Sequence, residues 1–144
     1  MEKGMFLQPD DGILYERANQ MRVKIASEHT GGTYEICEER CPPGFTSRKH
    51  MHTKDWETFM MTEGSATWTV GDETIEATKG MTIHIPPGVP HKVVVEHGCE
   101  MLVVFGPGNQ AGQFEEMSKL TPEQQEDDEY KKSILAKYNM VPLE

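Results

Sequence analysis

At 144 residues and 16.3 kDa, with 36% hydrophobic and 26% charged residues, the chain has the size and composition of one globular domain spanning 1–144. Fourteen basic against 24 acidic residues leave a formal charge of −10, which argues against nucleic acid or an anionic membrane as partner, since either needs a basic face. With no basic-then-apolar leader and no apolar run near about 18 residues, a cytoplasmic chain is expected.

From about residue 12 to 106, short apolar or alternating runs are cut by turn residues. The runs "ILYE", "MRVKIA", "GTYEICEE", "ETFMMTEG", "SATWTVG", "ETIEAT", "MTIHI", "HKVVVE" and "EMLVVF" predict strands. "TGG", "CPPG", "VGDE", "TKG", "PPGVP", "EHG" and "GPGN" supply the Gly, Pro and Asp of the intervening turns. "SATWTVGDETIEAT" reads as a hairpin closed across Gly71-Asp72. Many short strands at this spacing predict an all-β sandwich or barrel.

After Gly108 the pattern becomes helical, over about 112–138. Phe114, Met117 and Leu120 stand three apart, giving a short amphipathic helix. Thr121, Pro122 and Gln124 form the start of a second helix, as N-cap, first-turn proline and capping-box partner. Tyr130, Ile134, Leu135 and Tyr138 are its expected apolar stripe. Cys37, Cys41 and Cys99 are an odd set with no C-x-x-C spacing, so no disulfide framework is expected. Cys37 and Cys41 share a face if extended, which admits a two-thiol metal site; buried apolar thiols in a reducing compartment are the commoner reading.

The stretch "RKHMHTKDWETF" concentrates the chemistry. On a strand, His50 and His52 project from one face, Glu57 follows across a short turn, and His91 comes just after "IPPGVP". Three neutral imidazoles and a carboxylate suit a divalent transition metal with donors at about 2.0–2.2 Å. Four protein ligands in an octahedral shell would leave two positions open, as a catalytic metal requires. An H-x-H pair alone is a weak signal, equally at home on an exposed strand.

"GFTSRKHMHTKDWETFMMTEG" resembles the first cupin motif, G-x5-H-x-H-x4-E-x6-G, at every fixed position. "GMTIHIPPGVPHKVV" is similar to the second, G-x5-P-x-G-x2-H-x3-N, through Gly80, Pro86, Gly88 and His91, and departs only where Val95 replaces Asn. The resemblance implies a cupin double-stranded β-helix, a jelly-roll barrel, with the metal inside and His50, His52, Glu57 and His91 as its ligands. More loosely, "TGGTYEICEERCPPG", "EGSATWTVGDETIEATKG", "VVFGPGNQAGQFEEM" and "ILAKYNMV" look like the single-domain cupins of the quercetin 2,3-dioxygenase-like group. That likeness implies a dioxygenase that binds a small phenolic or enolisable substrate and O2, with Glu57 as both ligand and catalytic base. The same four ligands would serve a metal-dependent isomerase, cyclase, dehydratase or lyase, or a binding cupin without turnover. The metal expected is one per chain, from among Fe, Ni, Co, Mn, Cu and Zn, and family habit implies a homodimer.

Phe59 and Met61 share parity with Glu57 and are expected on the interior face, as core or pocket wall. Trp68 is expected to pack inside and Trp56, of opposite parity to Glu57, outside the site. His84 reads first as a satisfied structural histidine, with a place in the substrate pocket, through a hydrogen bond to a ligand or substrate, as the alternative. Arg48 and Lys49 flank the first ligand, where a basic group could attract an anionic substrate, though solvated loop charges are the commoner reading. Tyr34 is a possible donor to a substrate oxygen, and His29 and His97 read as surface.

Overall fold

The computed structural model describes residues 3–144. Ten strands lie in it: β1 (Ile13–Glu16), β2 (Gln20–Ile25), β3 (Glu35–Cys41), β4 (His50–His52), β5 (Trp56–Val70), β6 (Glu73–Thr78), β7 (Thr82–Ile85), β8 (His91–Val94), β9 (Cys99–Gly106) and β10 (Met140–Pro142). All pair antiparallel in the order β1-β2-β3-β9-β5-β8-β4-β10, with β6 and β7 also on β5. The sheet curls into the barrel that the resemblance implies.

The runs "ETFMMTEG" and "SATWTVG" prove to be one strand. β5 runs for 15 residues because Gly64 carries the chain through a bend instead of ending it. The register shifts between Met61 and Glu63, where β5 leaves β7 behind and takes up β6 and β8. Gly64 sits at φ +76, and a Cβ there would strike the Gly98 carbonyl and Cys99, so only glycine fits. The Gly71-Asp72 hairpin closes as expected, with Val70 opposite Glu73.

Inward residues of each strand fill the barrel, among them Trp68, Met61, Met101, Val103 and Ile85. Val95, standing where the motif has Asn, is fully buried in this core.

The helical tail differs from expectation in one respect. α1 (Gln110–Ser118) forms, and Thr121 caps α2 (Pro122–Gln125) with the capping box from Gln124, but α2 ends after one turn. Asp127 then caps a separate helix, α3 (Asp128–Lys137), by accepting from Tyr130 N. Of the expected stripe, Ile134 and Leu135 are buried against Met117, Tyr138 packs beside them, and Tyr130 faces solvent. Asn139 at φ +62 turns the chain into β10, a strand the sequence reading did not anticipate.

Two buried carboxylates anchor this tail to the barrel. Glu35 accepts from Gln110 N (2.6 Å) and Ala111 N (3.2 Å) at the start of α1. Asp55 accepts from Gly108 N (2.6 Å) and Gln110 Nε2 (2.9 Å). Glu35 thus meets orphan donors of a helix start, the end of the dipole that favours negative charge, and Asp55 holds the turn that leads into it.

Candidate metal centre

Three elements bring the four candidate ligands together. β4 presents His50 and His52 from one face, since they are two residues apart. β8 pairs with β4 so that His91 is the Cα partner of His50. Glu57 enters from β5, opposite Phe105 and Ile85.

The "PPGVP" turn sets the approach of His91. Pro87 and Gly88 occupy its centre, Gly88 at φ +82, and Val89 N closes it on the Pro86 carbonyl (3.4 Å), the arrangement of a type II turn. Gly88 N donates to the His52 carbonyl at 2.7 Å, tying this turn to the ligand strand.

The three imidazoles offer ligand atoms within 4.8 Å of one another. His50 and His91 have ring centroids 4.4 Å apart. His50 Nδ1 meets the Arg48 carbonyl at 2.7 Å, and His91 Nδ1 meets the Val89 carbonyl at 3.0 Å. A carbonyl only accepts, so each Nδ1 carries the proton and each neutral ring keeps its lone pair on Nε2. Glu57 Oε1 lies 3.3 Å from His52 Nε2, and Oε2 lies 3.1 Å from His91 Nε2. The second approach lacks hydrogen-bond geometry, and both of its atoms are buried without a partner. His52 Nδ1 is orphaned as well.

Burial, reinforced by the neighbouring His91, pushes the His50 imidazole down to about 4, and burial also lowers His52. For Glu57 burial acts upward but is outweighed by His91 and His52, so the carboxyl is held below its ordinary range. For His91 burial acts downward and is outweighed by Glu57, which raises it. A buried carboxylate beside two depressed imidazoles, with orphaned donor atoms among them, fits a divalent cation of the imidazole-preferring transition series.

The centre opens into a chamber of 650 Å³. Phe59, Trp68, Phe105, Phe45, Phe114 and Tyr15 contribute an aromatic part of its wall. Arg17, Arg48, Lys131 and Lys132 also border it, with Asp128 and Glu144. Phe59 thus forms wall and packs on Trp68 at 4.6 Å between centroids. Met61 is buried in the core and does not line the chamber.

His84 is a correction. It alternates to the outer face of β7, is exposed, meets Thr58 Oγ1 through Nδ1 at 2.9 Å, and stacks on the exposed Trp56. It has no place in the chamber, because the buried positions of that strand are Ile83 and Ile85. Tyr34 is exposed and also lies outside it. Cys37, Cys41 and Cys99 are free and buried.

The sequence reading missed Glu39, a buried carboxyl that lines the chamber. Strand parity in "EICEERC" puts Glu35, Cys37, Glu39 and Cys41 on one face, but nothing in that run tells which face is inside.

No helix among the described residues is long and apolar enough to cross a membrane. Residues 37–105 match the family model of the cupin domain. An uncharacterised protein of Methanocaldococcus jannaschii is 34% identical over 65 residues, 45% of this chain and 52% of that protein. An uncharacterised protein of Streptomyces coelicolor is 35% identical over 65 residues, 44% of this chain and 61% of that one. The match therefore spans between half and two thirds of these curated relatives.

Among solved structures, the polyketide cyclase RemF from Streptomyces resistomycificus superposes with a TM-score of 0.65 at 21% identity, covering 74% of this chain and 82% of that one. KdgF from Halomonas sp. gives 0.66 at 14% identity, covering 76% and 98%. A sugar phosphate isomerase of the cupin superfamily from Silicibacter pomeroyi gives 0.54 at 21%, covering 62% and 59%. At these identities the likeness is one of fold. Barrel and family model agree, and residues 37–105 are a cupin domain.

Proposed function

We propose that the chain is a metal-dependent cupin enzyme, a dioxygenase of the quercetinase-like kind acting on a small phenolic or enolisable substrate. The observation that carries this reading is the convergence of His50, His52, His91 and Glu57, with orphaned donor atoms, at the floor of an aromatic chamber. These four residues would hold one divalent transition metal. When bound, it would supply Lewis-acid charge and open positions for a substrate oxygen and O2.

The chain's own residues supply the rest. Backbone carbonyls of Arg48 and Val89 fix two imidazoles in one tautomer and orientation. The rings of Phe59, Trp68 and Phe105 stack a planar substrate and exclude water from its reacting face. Glu57 is buried and ionised, the state in which a carboxylate accepts a proton. Arg17 and Arg48, which border the chamber without an ion pair among the described residues, favour an anionic, phenolate-bearing ligand on an otherwise acidic protein. The edge position of β1, with Ile13 and Leu14 exposed, supports a homodimer through edge strands.

The non-oxidative alternative, a cyclase or isomerase using the same centre, is favoured by its likeness in fold to RemF, a polyketide cyclase. Elemental analysis followed by flavonol and catechol turnover with and without O2 separates the two. One metal per chain and consumption of O2 with substrate are expected. Anaerobic turnover at the full rate moves the reading to the cyclase class, and a protein that refuses all six metals overturns it.

A further inference from the structure

β3 turns two carboxylates inward, and only one of them caps a helix. Glu35 holds the start of α1 through two backbone N–H groups. Glu39 caps nothing. It is 8% exposed, and its Oε2 accepts from the Asn19 amide at 2.6 Å and the Cys41 thiol at 3.6 Å, both neutral donors. Its Oε1 has no protein partner among the described residues, yet it is not among the sealed, unpartnered atoms. Glu39 lines the same chamber as the four candidate ligands, so Oε1 has the chamber to face.

A buried carboxyl with no cation opposite it is costly as structure and recurrent as chemistry. Met21 of β2 and Met101 of β9 stand opposite Glu39 on the flanking strands, and Cys37 and Cys41 are its neighbours on the inner face of β3. Arg17 borders the chamber but forms no ion pair with it among the described residues, and Glu57 is the charged group that acts on it. Nothing in this surrounding neutralises an anion.

We propose that Glu39 is the general acid of the chamber, giving a proton to an oxygen of the substrate while Glu57 serves the metal and accepts the first proton. The assignment rests on the enzymatic reading above. In the step, the Oε1–H bond breaks with its electron pair left on Oε1, and a new O–H bond forms on the substrate oxygen. Water entering the open chamber restores the proton. Consistent with that role, burial pushes the Glu39 carboxyl up to about 7, against the lowering hydrogen bonds of Asn19 and Cys41.

Dicyclohexylcarbodiimide, an apolar reagent for protonated carboxyls, tests this on the full chain with its metal content measured alongside. Mass-spectrometric mapping is expected to show an adduct at Glu39 that is absent in Glu39→Gln. Its rate should fall about tenfold per pH unit above neutrality. A flavonol seated in the chamber, detected by quenching of tryptophan fluorescence, should protect it. No adduct at Glu39 on wild-type protein, a pH profile like that of surface acids, or full labelling beneath a bound flavonol would each overturn the assignment. A chain that holds no metal but labels at Glu39 instead removes only the metal reading and leaves the chamber acid standing.

Discussion

His50 and His91 stand opposite one another in the ladder between β4 and β8, and each gives its Nδ1 proton to the carbonyl two residues before it. Two rings from distant parts of the chain are thereby locked in the same tautomer by the same local device. Such a bond costs the ring its rotation before any ligand arrives, which is the sense in which a metal site is pre-organised.

Removing either ring should remove the metal and spare the barrel. His50→Ala and His91→Ala are expected to lose stoichiometric metal on elemental analysis while keeping the β-type circular dichroism of the wild type. Retained metal in either variant contradicts the ligand set.

Metal-stripped protein should lose stability in acid through His50. Its folded value of about 4 lies below the ordinary 6.5, so between these the unfolded chain binds a proton that the folded chain refuses. Stability therefore rises with pH across that window and is lost as pH falls through it, by on the order of 3 kcal/mol. His52, also lowered, adds to this slope, and His91, raised, opposes it. Thermal melts of chelator-treated wild type and His50→Ala between about pH 4 and 7 should show a slope that is shallower in the variant.

Asp55→Ala should loosen the tail. It leaves the Gly108 N–H and the Gln110 amide without their buried acceptor, at a cost of about 2–4 kcal/mol. The denaturation midpoint should drop accordingly, with faster amide exchange in α1 as the local signature.

Gly64→Ala tests the bend in β5. With φ at +76 and the Gly98 carbonyl in the path of a Cβ, strain and displacement together should destabilise by about 2 kcal/mol or more. Gly44→Ala is the control: its φ is also positive, but nothing lies within 4 Å of the added carbon, so the smaller loss isolates backbone strain from the clash.

The barrel and the grouping of four candidate ligands were legible because both follow from backbone periodicity. H-x-H on a strand must share a face, and P-x-G must turn where Gly88 permits it. What escaped depended on tertiary placement. Phe59 is legible from its parity with Glu57, but nothing in "MTIHI" tells which face of that strand is inside, and only the register of β7 on β5, with His84 opposite Thr58, turns His84 to water. β10 is three residues long, too short for any period, and Asp127 interrupts a stripe that reads as one continuous helix. Glu39 was hidden by its run: in "EICEERC" acids occupy both faces, so polarity does not point outward there.

The pairing of β4 has a kinetic consequence. This strand of three residues is bound to β8 and to β10, where Met140 stands opposite His52 and Pro142 opposite His50, and to no sequence neighbour. Its order depends on closing two long loops, the slowest kind of contact for a folding chain. The strand that bears two of the three candidate ligand histidines is thus expected to dock late, so that a cation held there would meet an assembled barrel rather than nucleate one.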